Sequence, residues 1–289
     1  MRIDRFPDFD PGKFLPGTRI EIRREIESAT IRSALFDFDG TISLIRTGWQ
    51  QVMVEMMVEI LIQYPGEGET LEQLTSNVRK YVDRLTGKQT IYQMVRLAEK
   101  IRQRGGVPAD PLEYKEMYNE YLSHHIRCRL EGLRKRRITP DELMMPHVRT
   151  LLEEIRKHGI VLYLASGTDL VYVQEEAQLL GVAKYFNGGI YGALDRVEDF
   201  SKAAVIQHIF RERRIQGREL VSFGDGFVEI LNTKEVDGTA VGVASDEVGK
   251  QAVDEWKRNR LIQAGADLII PGYSERQPLL NYLFRINCA

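Results

Sequence analysis

The chain has 289 residues, 43% hydrophobic and 28% charged, the balance of a globular protein with a sizeable core and room for two domains. Its 40 basic and 42 acidic side chains leave a formal net charge of −2, so overall charge favours neither nucleic acid nor a membrane surface, and any anion specificity must be local. No stretch approaches about 18 uninterrupted apolar residues and the N-terminus lacks the apolar centre of a signal peptide, which points to a cytoplasmic protein; Cys128 and Cys288 have no metal spacing and read as reduced thiols.

Residues 1–18 carry Pro7, Pro11, Gly12, Pro16 and Gly17, a composition that favours an irregular surface arm. From Thr18 to Glu27, Ile20, Ile22 and Ile26 lie among charges, which fits an edge strand or hairpin beside the strand starting at Ile31; a short helix from Arg23 is the alternative. Residues 1–30 are therefore expected to form an arm with a possible edge strand. Ile31 to Phe38 is a short apolar run that ends abruptly in Asp37-Phe38-Asp39-Gly40-Thr41, the pattern of a buried parallel strand leaving a sheet.

Beyond Thr41 the period changes. Val52, Met53, Met56, Met57, Ile60 and Leu61 recur at helical spacing up to Tyr64-Pro65-Gly66, and the methionines read as core. Helices are predicted at Leu71–Leu85, Thr90–Arg104 and Pro111–Leu130, with no strand among them. Residues 45–140 thus form an all-helical insertion, while 31–44 and 141–289 form the core. Within the core, helix Pro146–His158, strand Ile160–Ala165, helices Val171–Leu180 and Lys202–Arg213, strands Leu220–Phe223 and Thr239–Ala244, helix Asp246–Ala264 and strand Asp267–Ile270 follow one another. That alternation calls for an α/β fold with a parallel sheet covered by helices on both faces.

The basic run Arg127 to Arg137 has no interleaved aromatics and reads as a solvated linker or helix face, with an RNA or acidic partner as the alternative. His124 and His125 are adjacent, splay apart on a helix and read as surface histidines.

Polar groups collect at strand ends. Asp37 and Asp39 are two residues apart and share one side of their strand, at the edge where open α/β sheets bind ligands. Two carboxylates there are best tolerated around a hard cation such as Mg²⁺, although an ordinary strand followed by an Asp-Gly turn gives the same short pattern. Strand Ile160–Ala165 ends in Ser166-Gly167-Thr168, whose hydroxyl and backbone N–H groups can hold an anionic oxygen. Lys202 opens a helix, an unfavourable place for a cation against the helix dipole unless it neutralises an anion. Strand Leu220–Phe223 ends in Gly224-Asp225-Gly226, with Glu229 one helical turn on.

Together, Asp37-x-Asp39-Gly40-Thr41, Ser166, Lys202 and Gly224-Asp225-x3-Glu229 resemble, in order and strand context, the four motifs of the haloacid dehalogenase superfamily. The resemblance covers about residues 31–42 and 146–270. It implies a Rossmann-like three-layer core with the first strand central and a mobile helical cap inserted between the first and second motifs. It also implies that Asp37 is the nucleophile of an aspartyl-phosphate mechanism and Asp39 the general acid and base. Mg²⁺ would be held by the Asp37 carboxylate, the Asp39 carbonyl and Asp225, with Glu229 acting through water, while Ser166, Gly167 and Lys202 stabilise the transferring phosphoryl oxygens. Many members have Asp where this chain has Glu229. The family's dehalogenases lack a carboxylate two residues after the nucleophile, so Asp39 favours phosphotransfer. The expected activity is a Mg²⁺-dependent phosphohydrolase for a small phosphorylated metabolite. The alternatives are a phosphomutase of the β-phosphoglucomutase type and a non-catalytic RNA- or partner-binding protein on the same core.

Overall fold

A computed structural model describes residues 8–26, 31–66, 68–194, 201–249 and 252–284. Part of the N-terminal arm, Asp199 and Cys288 lie outside them. Ser33–Phe36 (β3) has its four residues buried, and alternate side chains enter different cores: Ala34 and Phe36 join one apolar cluster, Leu35 another with Val205, Ile206 and Ile209. That two-sided burial is what a continuous apolar run produces in a parallel strand covered on both faces.

β3 pairs in parallel with Val161–Asp169 (β4) on one side and Leu220–Gly224 (β6) on the other. Gly189–Ala193 (β5) extends the sheet beyond β4, and Thr239–Val243 (β7) and Leu268–Ile270 (β8) extend it beyond β6. Lys13–Phe14 (β1) and Glu21–Ile22 (β2) complete an eight-stranded sheet in the order β1-β2-β8-β7-β6-β3-β4-β5. The hairpin expected beside the strand at Ile31 is present but sits elsewhere: β2 pairs antiparallel with β8, because both edges of β3 are already taken by β4 and β6.

Val148–Lys157 (α5), Leu170–Leu179 (α6), Lys202–Arg213 (α7), Phe227–Lys234 (α8), Glu255–Gln263 (α9) and Arg276–Phe284 (α10) belong with the sheet. The helix expected from Asp246 starts later. Asp246 turns its carboxylate onto the Val248 N–H, and α9 begins only where Asp254 caps it by accepting from the Lys257 N–H.

Trp49–Leu61, Leu71–Leu85, Thr90–Gln103 and Pro111–Arg134 form a four-helix bundle, here α1 to α4. Local signals position two of them. Thr70 with Gln73, and Asp110 with Glu113 behind Pro111, form capping boxes at the starts of α2 and α4. Met53, Met56 and Met57 are at most 1% exposed in the bundle core, each contributing about 1.5–3 kcal/mol by burial.

Two connections join bundle to sheet, and they run side by side. Leu44 donates to Leu143 O (2.9 Å) and Met145 to Ile42 O (2.9 Å). Arg129, from the basic run, donates to Ile45 O (2.7 Å) and Thr47 O (2.8 Å) and so ties α4 to the first connection. Arg134 pairs with Glu175 and Lys135 with Glu131, while His124 and His125 are exposed. No described helix is long and apolar enough to cross a membrane.

The N-terminal hairpin is stitched to the core by charge. Glu21, 2% exposed, accepts from Arg258 Nε (2.7 Å) and Nη2 (2.8 Å) on α9 and from the Gly12 N–H (2.6 Å). Burial pushes the Glu21 carboxyl up, but hydrogen bonds from Arg258, Gly12 and Arg23 outweigh it and hold it below its ordinary value of 4.5. A depressed folded-state pKa stabilises above the unfolded value and is lost as pH falls through the folded one. Glu21→Gln should therefore melt below the parent at pH 7, with the gap narrowing as pH drops beneath 4.5. Parallel melting curves across that range would count against the assignment.

Candidate active site

The site forms where β3, β4 and β6 end side by side. Asp37 continues β3 through its N–H to Phe223 O (2.9 Å) and is 8% exposed. The chain then turns sharply at Gly40, where φ is +75° and a Cβ would lie 2.3 Å from Asp225 Oδ2, so no larger residue fits without displacing that carboxylate.

Lys202, at the first turn of α7 and 4% exposed, donates to Asp37 Oδ1 (2.6 Å) and Glu229 Oε2 (2.9 Å). Glu229 also accepts from the Gly226 N–H (2.6 Å) through Oε1. Burial opposes charge on Lys202, but Asp37 and Glu229 more than offset it and hold the proton on. The Asp37 carboxyl is pushed well above the usual carboxylate range by burial; Lys202 pulls it down, and Glu229 and Asp225 push it further up.

Asp39 turns away from this cluster. Its Oδ2 accepts from Ser166 Oγ (3.2 Å) and Thr168 Oγ1 (2.9 Å), whereas its Oδ1 is buried without a hydrogen-bond partner. The two carboxylates at the end of β3 thus have different surroundings, one beside an ammonium and the other under hydroxyls. Asp225 accepts from Lys257 Nζ (2.8 Å) on α9, and Lys257 also donates to Glu247 Oε1 (2.7 Å).

Sequence reasoning brought Asp37, Asp39, Ser166, Gly167, Lys202 and Asp225 forward, and all six line one cavity of about 80 Å³, with Glu229 bonded to Lys202 beneath it. It missed Thr168 as a partner of Asp39 and Lys257 as a partner of Asp225. Thr168 had a signal, since a second hydroxyl two residues after Ser166 returns to the same side of the strand. Lys257 had only an indirect one: four neighbouring carboxylates with a single lysine require a further cation.

The bundle supplies the opposite wall through Arg46, Trp49, Gln93 and Tyr118 and the α2–α3 loop. Gly87 (φ +91°) lets that loop approach so closely that a Cβ there would lie 3.4 Å from Gly226 Cα, and one on Gly167 would lie 3.1 Å from Lys88 O. Arg46 is held by Glu176 through Nη2 (2.7 Å) and Nε (3.0 Å) and lies 3.9 Å from Asp39 Oδ1. Gln93 is 1% exposed and its Oε1 has no hydrogen-bond partner.

A family model described as haloacid dehalogenase-like hydrolase matches residues 31–235, which contain every residue of this cluster except Lys257 and Glu247. The chain is a haloacid dehalogenase-like hydrolase. Its fold is similar to the β-phosphoglucomutase of Clostridium difficile (TM-score 0.59, 12% identity, 89% of this chain and 98% of that one). It also resembles a HAD family hydrolase from Deinococcus radiodurans with bound phosphate and sodium (TM-score 0.55, 15% identity, 91% and 100%). A hydrolase from Pseudomonas syringae is similar at a TM-score of 0.55 and 17% identity, with 88% and 99% covered. No curated protein sequence matches the chain.

Carboxylate oxygens of Asp37, Asp225 and Glu229 in this hydrolase lie within 4.8 Å of one another. They form an oxygen-only, surplus-negative donor set, buried at Asp37 and Glu229 and half-buried at Asp225, which fits a hard divalent cation such as Mg²⁺. Mg²⁺ should accordingly raise the melting temperature of the parent, and Asp225→Asn should lose most of that rise while keeping its fold. An equal Mg²⁺ shift in both proteins would place the cation elsewhere.

Proposed function

We propose that this hydrolase is a Mg²⁺-dependent phosphatase of small phosphorylated metabolites, working through a phosphoryl group carried on Asp37. The observation that carries the reading is the division of labour between Asp37, beside Lys202, and Asp39, under the Ser166 and Thr168 hydroxyls in the same cavity.

In the first step an Asp37 carboxylate oxygen attacks phosphorus, and the phosphorus–oxygen bond to the leaving alcohol breaks. Protonated Asp39 gives its proton to that departing oxygen. In the second step Asp39, now a carboxylate, takes a proton from water as the water oxygen attacks the same phosphorus; phosphate leaves and Asp37 is restored. Lys202, the Ser166 hydroxyl and the Gly167 N–H hold the phosphoryl oxygens as charge redistributes, and Thr168 helps to keep Asp39 aimed. Bound Mg²⁺, held by Asp37, Asp225, Glu229 and the Asp39 carbonyl, would supply charge neutralisation at the phosphoryl group.

A small substrate is favoured by the bundle wall. In this arrangement α1–α4 act as a cap that covers the site and keeps out bulk water and macromolecules. Gln93 offers a buried, unpartnered amide oxygen in the cavity, suited to a hydroxyl of the leaving group. Arg46 is less suited to reading the substrate, since its charge is already matched by Glu176 and its removal would leave that carboxylate buried and unpaired. A phosphomutase would use the same first step and return the phosphoryl group to a second hydroxyl; a ³¹P NMR time course distinguishes an isomerised ester from free phosphate.

Asp37→Asn should abolish turnover, and Asp39→Asn should slow hydrolysis of an alkyl phosphate by about 10² to 10⁴. Appreciable turnover by Asp37→Asn would remove the covalent route. In a screen of phosphorylated metabolites, Gln93→Leu should lower kcat/KM for the best hydroxylated substrate by about 10-fold to 100-fold and leave p-nitrophenyl phosphate unchanged. A uniform loss on both would make Gln93 structural.

A further inference from the structure

A second cleft, of about 550 Å³, lies in the bundle between α2 and α3 and shares no lining residue with the catalytic cavity. Its charge is one-sided: Lys80, Arg84, Arg96, Lys100 and Arg104 line it against the single carboxylate of Glu69. Arg96 and Lys100 on α3 and Arg104 at its C-cap are spaced i, i+4, i+8, a row about 12 Å long at 1.5 Å per residue.

Helix stability does not ask for this row. Like charges four residues apart destabilise a helix by about 0.2–0.5 kcal/mol per pair. A cation in the last turn is favoured by the helix dipole, but Arg96 stands two turns earlier, where that benefit has gone. Some of the charge is matched locally: Arg104 donates to Glu69 (2.6 Å) and Tyr64 O (3.0 Å), and Arg96 to Glu99 (2.7 Å). Lys100, in the middle, donates to the neutral amide oxygen of Gln103 (2.9 Å). Burial pushes its ammonium pKa down, and Arg96 and Arg104 push the same way.

Tyr81 gives an independent observation. It comes from α2, lines the same cleft, is 7% exposed, and its hydroxyl has no hydrogen-bond partner. A buried hydroxyl left unpaired costs about 1–3 kcal/mol. Its pKa is raised by burial, and the charges of Arg104 and Arg96 pull the other way. The cleft therefore holds a surplus of donors: an O–H without an acceptor beside a row of cations. Leu61, Leu74 and Val78 add an apolar lining.

We infer that the α2–α3 cleft is a binding site for a small polyanion bearing a chain of phosphoryl groups, with Arg96, Lys100 and Arg104 holding the charges and Tyr81 donating to one of their oxygens. A lone phosphate would engage only part of the row, whereas linked phosphates match its length. The bounded cleft and the chain's net charge of −2 favour a small ligand over a nucleic acid strand.

The test is calorimetric titration of the full chain with inorganic tripolyphosphate and with ATP at about 0.15 M salt, orthovanadate being present to fill the catalytic cavity. Binding should persist under vanadate, weaken at least about tenfold in Arg96→Gln/Lys100→Gln, and weaken severalfold in Tyr81→Phe. Both variants should hydrolyse p-nitrophenyl phosphate at the parent rate, and unliganded Tyr81→Phe should melt no lower than the parent. Unchanged affinity in both variants, or complete displacement by vanadate, would overturn the site. Tighter binding of a single-stranded oligouridine through the same residues would overturn the small-ligand assignment.

Discussion

The structure depends on the cost of placing Asp37, Asp225 and Glu229 together out of water. Their oxygens lie within 4.8 Å of one another, with Asp37 and Glu229 buried and Asp225 half-buried, so little solvent screens them. Two lysines from different helices answer that charge. Lys202 bridges Asp37 and Glu229, and Lys257 bridges Asp225 and Glu247. The placement of α7 and α9 on the sheet is therefore bound up with the electrostatics of the strand ends. Lys202 occupies a helix start that the dipole disfavours for a cation, and only its anionic partners make the position stable.

Much of this was legible because the informative signals were local. Strand β3 ends in its acidic pair as the apolar run demanded, and α2 spans Leu71–Leu85 because a Thr70–Gln73 capping box opens an amphipathic pattern. β5 went unseen because Gly189 and Gly192 dilute a five-residue strand to a signal resembling a loop. The partner of β2 was misplaced for a different reason: pairing Glu21 with Ile269 joins residues from opposite ends of the chain, and periodicity carries no information about such contacts. α10 passed unnoticed with Pro278 near its start, a position that tolerates proline because early helical N–H groups lack intrahelical partners.

The site divides along the same line. Residues at strand ends announce themselves by an abrupt change from apolar to polar, which is how Asp37, Ser166 and Asp225 stood out. Glu176 and Lys257 lie within helices, one turn among many, and nothing in their immediate sequence separates them from solvated charges. Their roles come from what the fold brings opposite them: Arg46 from the first connection for Glu176, and Asp225 for Lys257. A charge balance over the predicted strand ends would have called for further positive charge without saying which residue supplies it.

The contact between bundle and sheet is graded from one end to the other. At the paired connections it is apolar and continuous with the core, through Ile42, Leu44, Ile45, Met144 and Met145. Away from them it is polar. Lys115 on α4 pairs with Asp169 (2.6 Å), and Arg260 on α9 donates to the carbonyls of Asp83, Arg84 and Thr86 at the end of α2. Asp83 O also accepts from the Thr86 N–H (3.2 Å), so the guanidinium adds a second donor there, reaches two further carbonyls at the helix end and complements the negative end of the helix dipole. Arg260 also stacks near Phe227 (4.5 Å) and Trp256 (5.0 Å), and burial pushes its pKa down to about 10, still charged at neutral pH. Apolar contacts lose free energy in proportion to the area they expose, whereas polar ones can exchange protein partners for water at small net cost. The polar end carries the Thr86 to Thr90 loop that lines the catalytic cavity, so the loop's position against the sheet is set by hydrogen bonds and ion pairs rather than by apolar packing.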